Sequence, residues 1–298
     1  MFFSTPLTQE TVVPRRSESI QPHSTTQVRF DSSRRGRPDD TIMRILVVSD
    51  LHGNAPALRA ILERERFDLA LNAGDLVDYG PFPAECVRWS MSHCAYTVRG
   101  NHDHGVAQNV EVVGDHGYRY LTRIARPFMW PDLGPRERRY LLELPLTLRI
   151  DLDGLRILMV HGTPRDPLDE YVMGLVEPWT ARLRDYKDID LAIVGHTHHQ
   201  FLLDLGEKRV LNPGSVGQPR DGDPRAAYAI IEDGCIQLHR VEYPIEQTLA
   251  GYEALGLPEK ANQLFRESLT HGRLSPPPRV PTESSPQALP AMPPSGES

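Results

Sequence analysis

The chain has 298 residues, 33 Lys and Arg against 40 Asp and Glu, and a net charge of −7. Its 39% hydrophobic and 24% charged content is that of an ordinary globular protein long enough to bury a full core. No apolar stretch approaches membrane length, the first residues lack the apolar run of a secretory signal, and phosphate neutralisation needs clustered Lys and Arg. The expectation is a cytoplasmic protein with no membrane partner and no stable nucleic-acid binding. Cys86, Cys94 and Cys235 show no C-x-x-C spacing and read as free thiols in a reducing compartment.

In chain order, residues 1–41 are rich in Ser, Thr, Pro and Arg without helical or strand period, which predicts a disordered extension; Met43 is a candidate translation start. Residues 42–49 form a β-rich apolar run that ends on Asp50. Asn54 caps a predicted helix with Pro56 in its first turn and Leu58, Ile61 and Leu62 on one face. A strand over 69–73 leads into Gly74-Asp75, a helix covers 83–92, and a strand from 94 to 98 leads into Gly100-Asn101. Residues 105–140, with Tyr118, Tyr120, Phe128 and Trp130, read as a cap over the site or as ordinary core, with a helix at 136–143. Strands at 146–150 and 155–160 flank Asp153-Gly154, whose Asp151-Leu152-Asp153-Gly154 segment is a hairpin turn and not a calcium loop, since the remaining ligands are missing. A helix at 177–187 and strands at 191–194 and 209–211 follow, then a hairpin of 226–232 and 235–242 around Asp233-Gly234 and helices at 245–255 and 259–269. The pattern predicts one α/β domain with mixed sheets over residues 42–272. The tail, 273–298, is Pro-rich and predicted to be disordered, eight of the 27 prolines falling within 275–298.

Five short polar motifs recur along this frame: Asp50-Leu51-His52, Gly74-Asp75-Leu76-Val77-Asp78, Gly100-Asn101-His102-Asp103, Val160-His161-Gly162 and Gly195-His196-Thr197-His198. Each follows the carboxyl end of a predicted buried strand, the edge at which open α/β sheets bind ligands. Carboxylate, imidazole and amide together suit borderline or hard divalent ions, and there are enough of them for two. The set predicts a two-metal hydrolytic centre. His104, His116 and His199 read either as substrate contacts or as exposed loop histidines, and Asp103 either as support for His102 or as a turn cap.

The motif set resembles that of the calcineurin-like metallophosphoesterases, D-x-H, G-D-x-x-D, G-N-H-D/E, a later H and G-H-x-H, over residues 42–243. The resemblance implies a four-layer sandwich of two mixed β-sheets flanked by helices. It further implies that Asp50, His52 and His198 hold one metal, that Asn101, His161 and His196 hold a second, and that Asp75 bridges them, with a hydroxide between the ions attacking phosphorus. His102 is implied to stand by the leaving group, as an acid or a charge stabiliser, with Asp78 orienting it. Manganese is expected ahead of iron, zinc, nickel or magnesium.

Asn212-Pro213-Gly214-Ser215 resembles a loop of the small bacterial phosphodiesterase-like branch. Arg220, beyond it, is a candidate phosphate contact, or alternatively the partner of Asp221 or Asp223. Tyr79 stands where the protein Ser/Thr phosphatases carry a phosphate-gripping arginine, which leaves room for a diester's second organic group. The expected activity is therefore a binuclear metal-dependent phosphodiesterase acting on small phosphorylated substrates. The alternatives are a phosphomonoesterase, of the Ser/Thr protein phosphatase or diadenosine tetraphosphate hydrolase kind, or a non-catalytic scaffold on the same fold, as in the retromer subunit. Homo-oligomerisation is left open.

Overall fold

The structure is a computed structural model that describes residues 26–29, 43–152, 154–233 and 235–275. The predicted disorder of 1–25, 30–41 and 276–298 lies outside the described residues. Within the extension, Thr26–Arg29 forms a strand, β1, which departs from the expectation of no strand before residue 42. Four residues added to a sheet edge leave no periodic signature in sequence.

The remaining strands are β2 (Arg44–Val48), β3 (Leu69–Asn72), β4 (Cys94–Thr97), β5 (Thr147–Leu152), β6 (Leu155–Val160), β7 (Leu191–Ile193), β8 (Phe201–Asp204), β9 (Arg209–Asn212), β10 (Ala226–Glu232) and β11 (Cys235–Val241). They form two mixed sheets, one of six strands in the order β1-β5-β6-β7-β9-β8 and one of five in the order β11-β10-β2-β3-β4. Alternation along each strand explains the layering, because successive side chains point to opposite faces. Ile45, Val47, Leu69 and Leu71 meet Ile157, Met159, Leu191, Ile193 and Leu211 of the other sheet to make the inter-sheet core. Leu46, Val48 and Ala70 turn the other way, onto Leu58 and Ile61 of α1 (Ala55–Arg64) and Val87 of α2 (Pro83–His93). On the far side Leu158, Val160 and Ala192 pack against Trp179 of α6 (Val176–Arg182). The result is the expected four-layer sandwich of two mixed sheets flanked by helices.

The other helices are α3 (Asn101–Ala107), α4 (Gly117–Met129), α5 (Pro135–Glu143), α7 (Ile245–Leu255) and α8 (Glu259–His271). Tyr120, Leu121 and Ala125 of α4 join Leu249 and Tyr252 of α7 and Phe265 of α8 in a separate apolar cluster that also takes in Tyr79. No described helix is long and apolar enough to cross a membrane.

Two arrangements position the site. Strands β2, β3 and β4 run parallel, as do β6, β7 and β9. Their carboxyl ends thus open on one rim where the two sheets meet. The loops leaving that rim turn sharply, with left-handed backbone at Asp50 (φ 54°), His52 (45°), Asp75 (58°), Asp78 (67°), Tyr79 (59°), His196 (66°) and His198 (58°). Each costs about 1 kcal/mol or more in a non-glycine residue, and such strain persists only where surrounding contacts over-determine it. Here neighbouring loops supply them: the backbone amides of Asp50 and His52 donate to the carbonyls of Gly74 and Asp75 at 2.8 and 3.0 Å. From the other side, Ser215 Oγ and the Gly217 amide donate to the Asp50 carbonyl at 2.8 and 3.0 Å.

Candidate metal centre

All seven predicted metal-ligand residues converge on this rim. Asp50, His52, Asp75, His161 and His198 are buried, and Asn101 and His196 are partly so. Two groups of donor atoms, Asp50-His52-Asp75-His198 and Asp75-His161-His196, each lie within 4.8 Å of one another, and they share Asp75. Asn101 Oδ1 closes the second group, 3.2 Å from His161 Nε2 and 3.1 Å from His196 Nδ1.

Hydrogen bonding fixes which imidazole nitrogens face inward. The Nδ1 atoms of His52, His161 and His198 donate to the carbonyls of Val77 (2.8 Å), Ala73 (2.8 Å) and Gln218 (2.5 Å). In the neutral rings Nε2 is therefore a bare acceptor. His52 Nε2 and His198 Nε2 nevertheless stand 3.1 Å apart, with Asp50 Oδ1 3.2 Å from the latter. With the imidazoles neutral, both Asp50 carboxylate oxygens and Asp75 Oδ2 are buried without a hydrogen-bond donor. Buried acceptors without donors are costly, and a cation is what relieves them, so the residues present fit a divalent metal.

The protonation pattern agrees. Burial pushes the Asp50 carboxyl up, but His198 and His161 outweigh it and hold the group well below the usual carboxylate range. Burial and the neighbouring His161 push His196 down to about 3, leaving a neutral ring with a lone pair to donate. His161 goes the other way: burial opposes its charge, yet Asp75, 3.1 Å away, and Asp50 raise it to about 10. In the metal-free protein a proton on His161 stands in for the cation.

His102 and Asp78 lie beside these groups. His102 lies in the first turn of α3, and its Nδ1 meets Asp78 Oδ2 at 2.7 Å. Its ring packs edge-on to His52, centroids 5.0 Å apart, and against Tyr79 at 4.9 Å. Arg220 reaches the same rim. It hydrogen-bonds Tyr79 Oη at 3.3 Å and Gln218 Oε1 at 2.8 Å, and it lies 3.8 Å over the ring of Tyr118. The alternative partners of Arg220 are taken: Asp221 pairs with Arg240, and Asp223 with Arg225. Among the described residues no carboxylate pairs with Arg220, and its Nε is buried without a partner.

Of the less specific candidates, His199 turns its Nδ1 onto the Thr197 carbonyl at 2.7 Å, and His116 sits at the N-cap position of α4 without a side-chain capping bond. Asp103 takes the capping role: as the third residue of α3 it accepts from the amide of the N-cap residue, Gly100. Its carboxylate accepts from the amides of Asp75 (2.8 Å), Leu76 (2.8 Å) and Gly100 (3.0 Å), so it staples the Asp75 loop to the start of α3. Tyr171, whose hydroxyl donates to Thr197 O at 2.9 Å, stacks edge-on to His196 and went unseen in sequence. Arg126 of α4 was also missed: it grips both oxygens of the Asp78 carboxylate, sharing Oδ2 with His102. No local pattern marks a partner 48 positions away.

A four-layer sandwich with carboxylate and imidazole donors gathered at its parallel strand ends defines a candidate metal-binding protein. The family model for the calcineurin-like phosphoesterase superfamily domain matches residues 43–233, and the chain belongs to that superfamily. It is 32% identical over 243 residues to the uncharacterized protein MJ0912 of Methanocaldococcus jannaschii, covering 72% of this chain and 94% of that one. It is 24% identical over 213 residues to phosphodiesterase YfcE of Escherichia coli, covering 66% and 91%. Among solved structures, a metallophosphoesterase from Sphaerobacter thermophilus superposes with a TM-score of 0.65 at 35% identity, covering 78% of this chain and all of that one.

Proposed function

We propose that this protein is a phosphoesterase that binds two divalent cations and hydrolyses small phosphodiesters. The observation that carries the reading is the pair of donor groups hinged on one shared carboxylate, Asp75, with donor-free buried acceptors in the first. Asp50, His52 and His198 would hold one ion, Asn101, His161 and His196 the other, and Asp75 both. Bound there, divalent ions would supply an activated water and neutralise the charge on the phosphoryl oxygens. The oxygen and nitrogen donor set, without thiolate, supports manganese, with iron, zinc, nickel or magnesium as alternatives.

The chain's own residues supply the rest. Asp78 occupies His102 Nδ1, leaving Nε2, 3.4 Å from Tyr79 Oη, as the nitrogen that would meet the leaving-group oxygen, as an acid or as a charge stabiliser. Arg220, carrying a guanidinium with no carboxylate partner, holds a non-bridging phosphate oxygen, and Tyr79 and Tyr118 keep it extended toward the rim. The phosphodiesterase relative supports the diester preference. That same unpaired Arg220 also favours a second reading, a phosphomonoesterase, since a dianionic phosphate complements it better.

Chelator-stripped protein given Mn²⁺, Ni²⁺, Zn²⁺ or Mg²⁺ singly separates the readings on bis-p-nitrophenyl phosphate and p-nitrophenyl phosphate. Metal-restored activity favouring the diester is expected. Preference for the monoester promotes the second reading, and inactivity on both with metal bound overturns the enzymatic one in favour of a scaffold.

A further inference from the structure

Asp78 is almost wholly buried, and its carboxylate has more than one partner. Its Oδ2 receives His102 Nδ1 at 2.7 Å, and Arg126 closes on both oxygens, Nε lying 2.9 Å from Oδ1 and 3.1 Å from Oδ2 while Nη2 bonds Oδ2. Arg126 is the side-chain donor to Oδ1 among the described residues. Without it one hydrogen bond would remain, and the carboxylate plane would be free to rotate away from the imidazole. The fork itself is fixed at a third point, where Nη1 donates to Val110 O at 2.8 Å. It also seats against α3 at Gly105, where a Cβ would lie 2.8 Å from Nη2, so a side chain there would push the guanidinium off. The ion pair is no surface contact, since the side chains of Arg126 and Asp78 are 14% and 1% exposed.

We infer that Arg126 is a positioning residue for the leaving-group chemistry: it locks the plane of Asp78, which aims His102 Nε2 at the departing oxygen. This rests on the role given to His102 above. It makes α4 part of the catalytic apparatus, because α4 carries both Arg126 and Tyr118, the ring beneath Arg220. Lysine can keep the charge but not the two-point grip, so the device depends on the guanidinium's shape.

The experiment compares Arg126→Gln, Arg126→Lys, His102→Ala and the two doubles in full-length, metal-loaded protein, against phosphodiesters with p-nitrophenyl or simple alkyl leaving groups. Bound metal per chain is measured alongside. Arg126→Gln is expected to lower kcat about 10- to 100-fold on the alkyl esters, a share of what general-acid catalysis supplies, with little change in KM or metal content. On p-nitrophenyl esters the loss should be several-fold smaller, because that group departs without needing a proton. Arg126→Lys should recover part of the loss, and each double should be no slower than His102→Ala alone. Losses equal across leaving groups, a change confined to KM, or losses that multiply in the doubles overturn the inference while leaving the His102 role standing. A His102→Ala protein as fast as wild type removes that role and the inference with it. Should Arg126→Gln fail to fold, Arg126→Lys, which keeps a cation beside the buried carboxylate, runs the same cycle.

Discussion

Metal removal is the perturbation whose size the site geometry lets us work out. A ligand that binds the native state alone stabilises it by about 2.7 kcal/mol when present at about a hundredfold its Kd, so two ions add roughly 5 kcal/mol. For a protein of this size each kcal/mol moves Tm by about 2–4 °C, giving a rise of about 10–20 °C on reloading chelator-treated protein. Calorimetry or dye-based melting reads this directly, and Asp75→Asn, which weakens the carboxylate common to both groups, should abolish most of it. The effect carries a pH dependence of defined sign. Although burial opposes the charge, Asp75 and Asp50 raise the His161 imidazolium from 6.5 to about 10 in the metal-free protein. That ion pair stabilises the metal-free fold fully below pH 6.5 and is lost as pH rises through about 10. A cation must displace the proton, so the metal-induced rise in Tm should grow from about pH 6.5 to about pH 9, with proton release seen by calorimetry in buffers of different ionisation enthalpy. A Tm that ignores chelation, a full metal shift in Asp75→Asn, or a shift independent of pH over that window would refute the ligand assignment.

Three further substitutions test the parts separately. His102→Ala should keep its bound metal and lose about a hundredfold or more in kcat on esters with poor leaving groups; unchanged turnover would remove its assigned role. Gly100→Ala places a Cβ 2.0 Å from Asp75 Oδ1, so metal stoichiometry by elemental analysis should fall together with Tm, and a fully loaded variant would show that the loop has more slack than its packing indicates. Arg220→Gln should lower kcat/KM about tenfold or more by losing a charge-assisted hydrogen bond to phosphate, read in steady-state kinetics on the preferred ester. Wild-type kcat/KM in that variant would return Arg220 to a structural role.

The parts of this molecule legible in sequence share one property: each was encoded within a few residues. The run 44–48 ends two positions before Asp50, and β6 ends directly before His161, so strand and ligand could be read together. Helix α1 begins where Asn54 predicts, its Oδ1 accepting from the Ala57 amide at 3.3 Å. The helix predicted at 177–187 stops instead at Arg182, where Leu183 leaves helical geometry and its backbone amide closes the last turn on Trp179. β8 escaped notice because its apolar run, Phe201-Leu202-Leu203, is only three residues long and ends on Asp204, and α4 because Pro127 and three arginines interrupt its pattern. Local propensity also misreads α3, since Gly100-Asn101-His102-Asp103 looks like a turn until Asp103 is seen accepting from the Gly100, Asp75 and Leu76 amides.

Most of the residues that break local backbone rules lie at the candidate site. Of the nine non-glycine residues with left-handed backbone among those described, seven lie at the site, and five of these are metal-ligand candidates. No strand or helix former would place Asp50, His52, Asp75, His196 and His198 in that conformation by preference; the turn after each parallel strand forces it, and neighbouring loops hold it. A ligand on a smooth continuation of its strand would point up or down the sheet, toward a core or a helix. Bent back at the strand's end, it points across the rim at ligands from the other sheet. The backbone strain is thus what brings two sheets' worth of donors to common points.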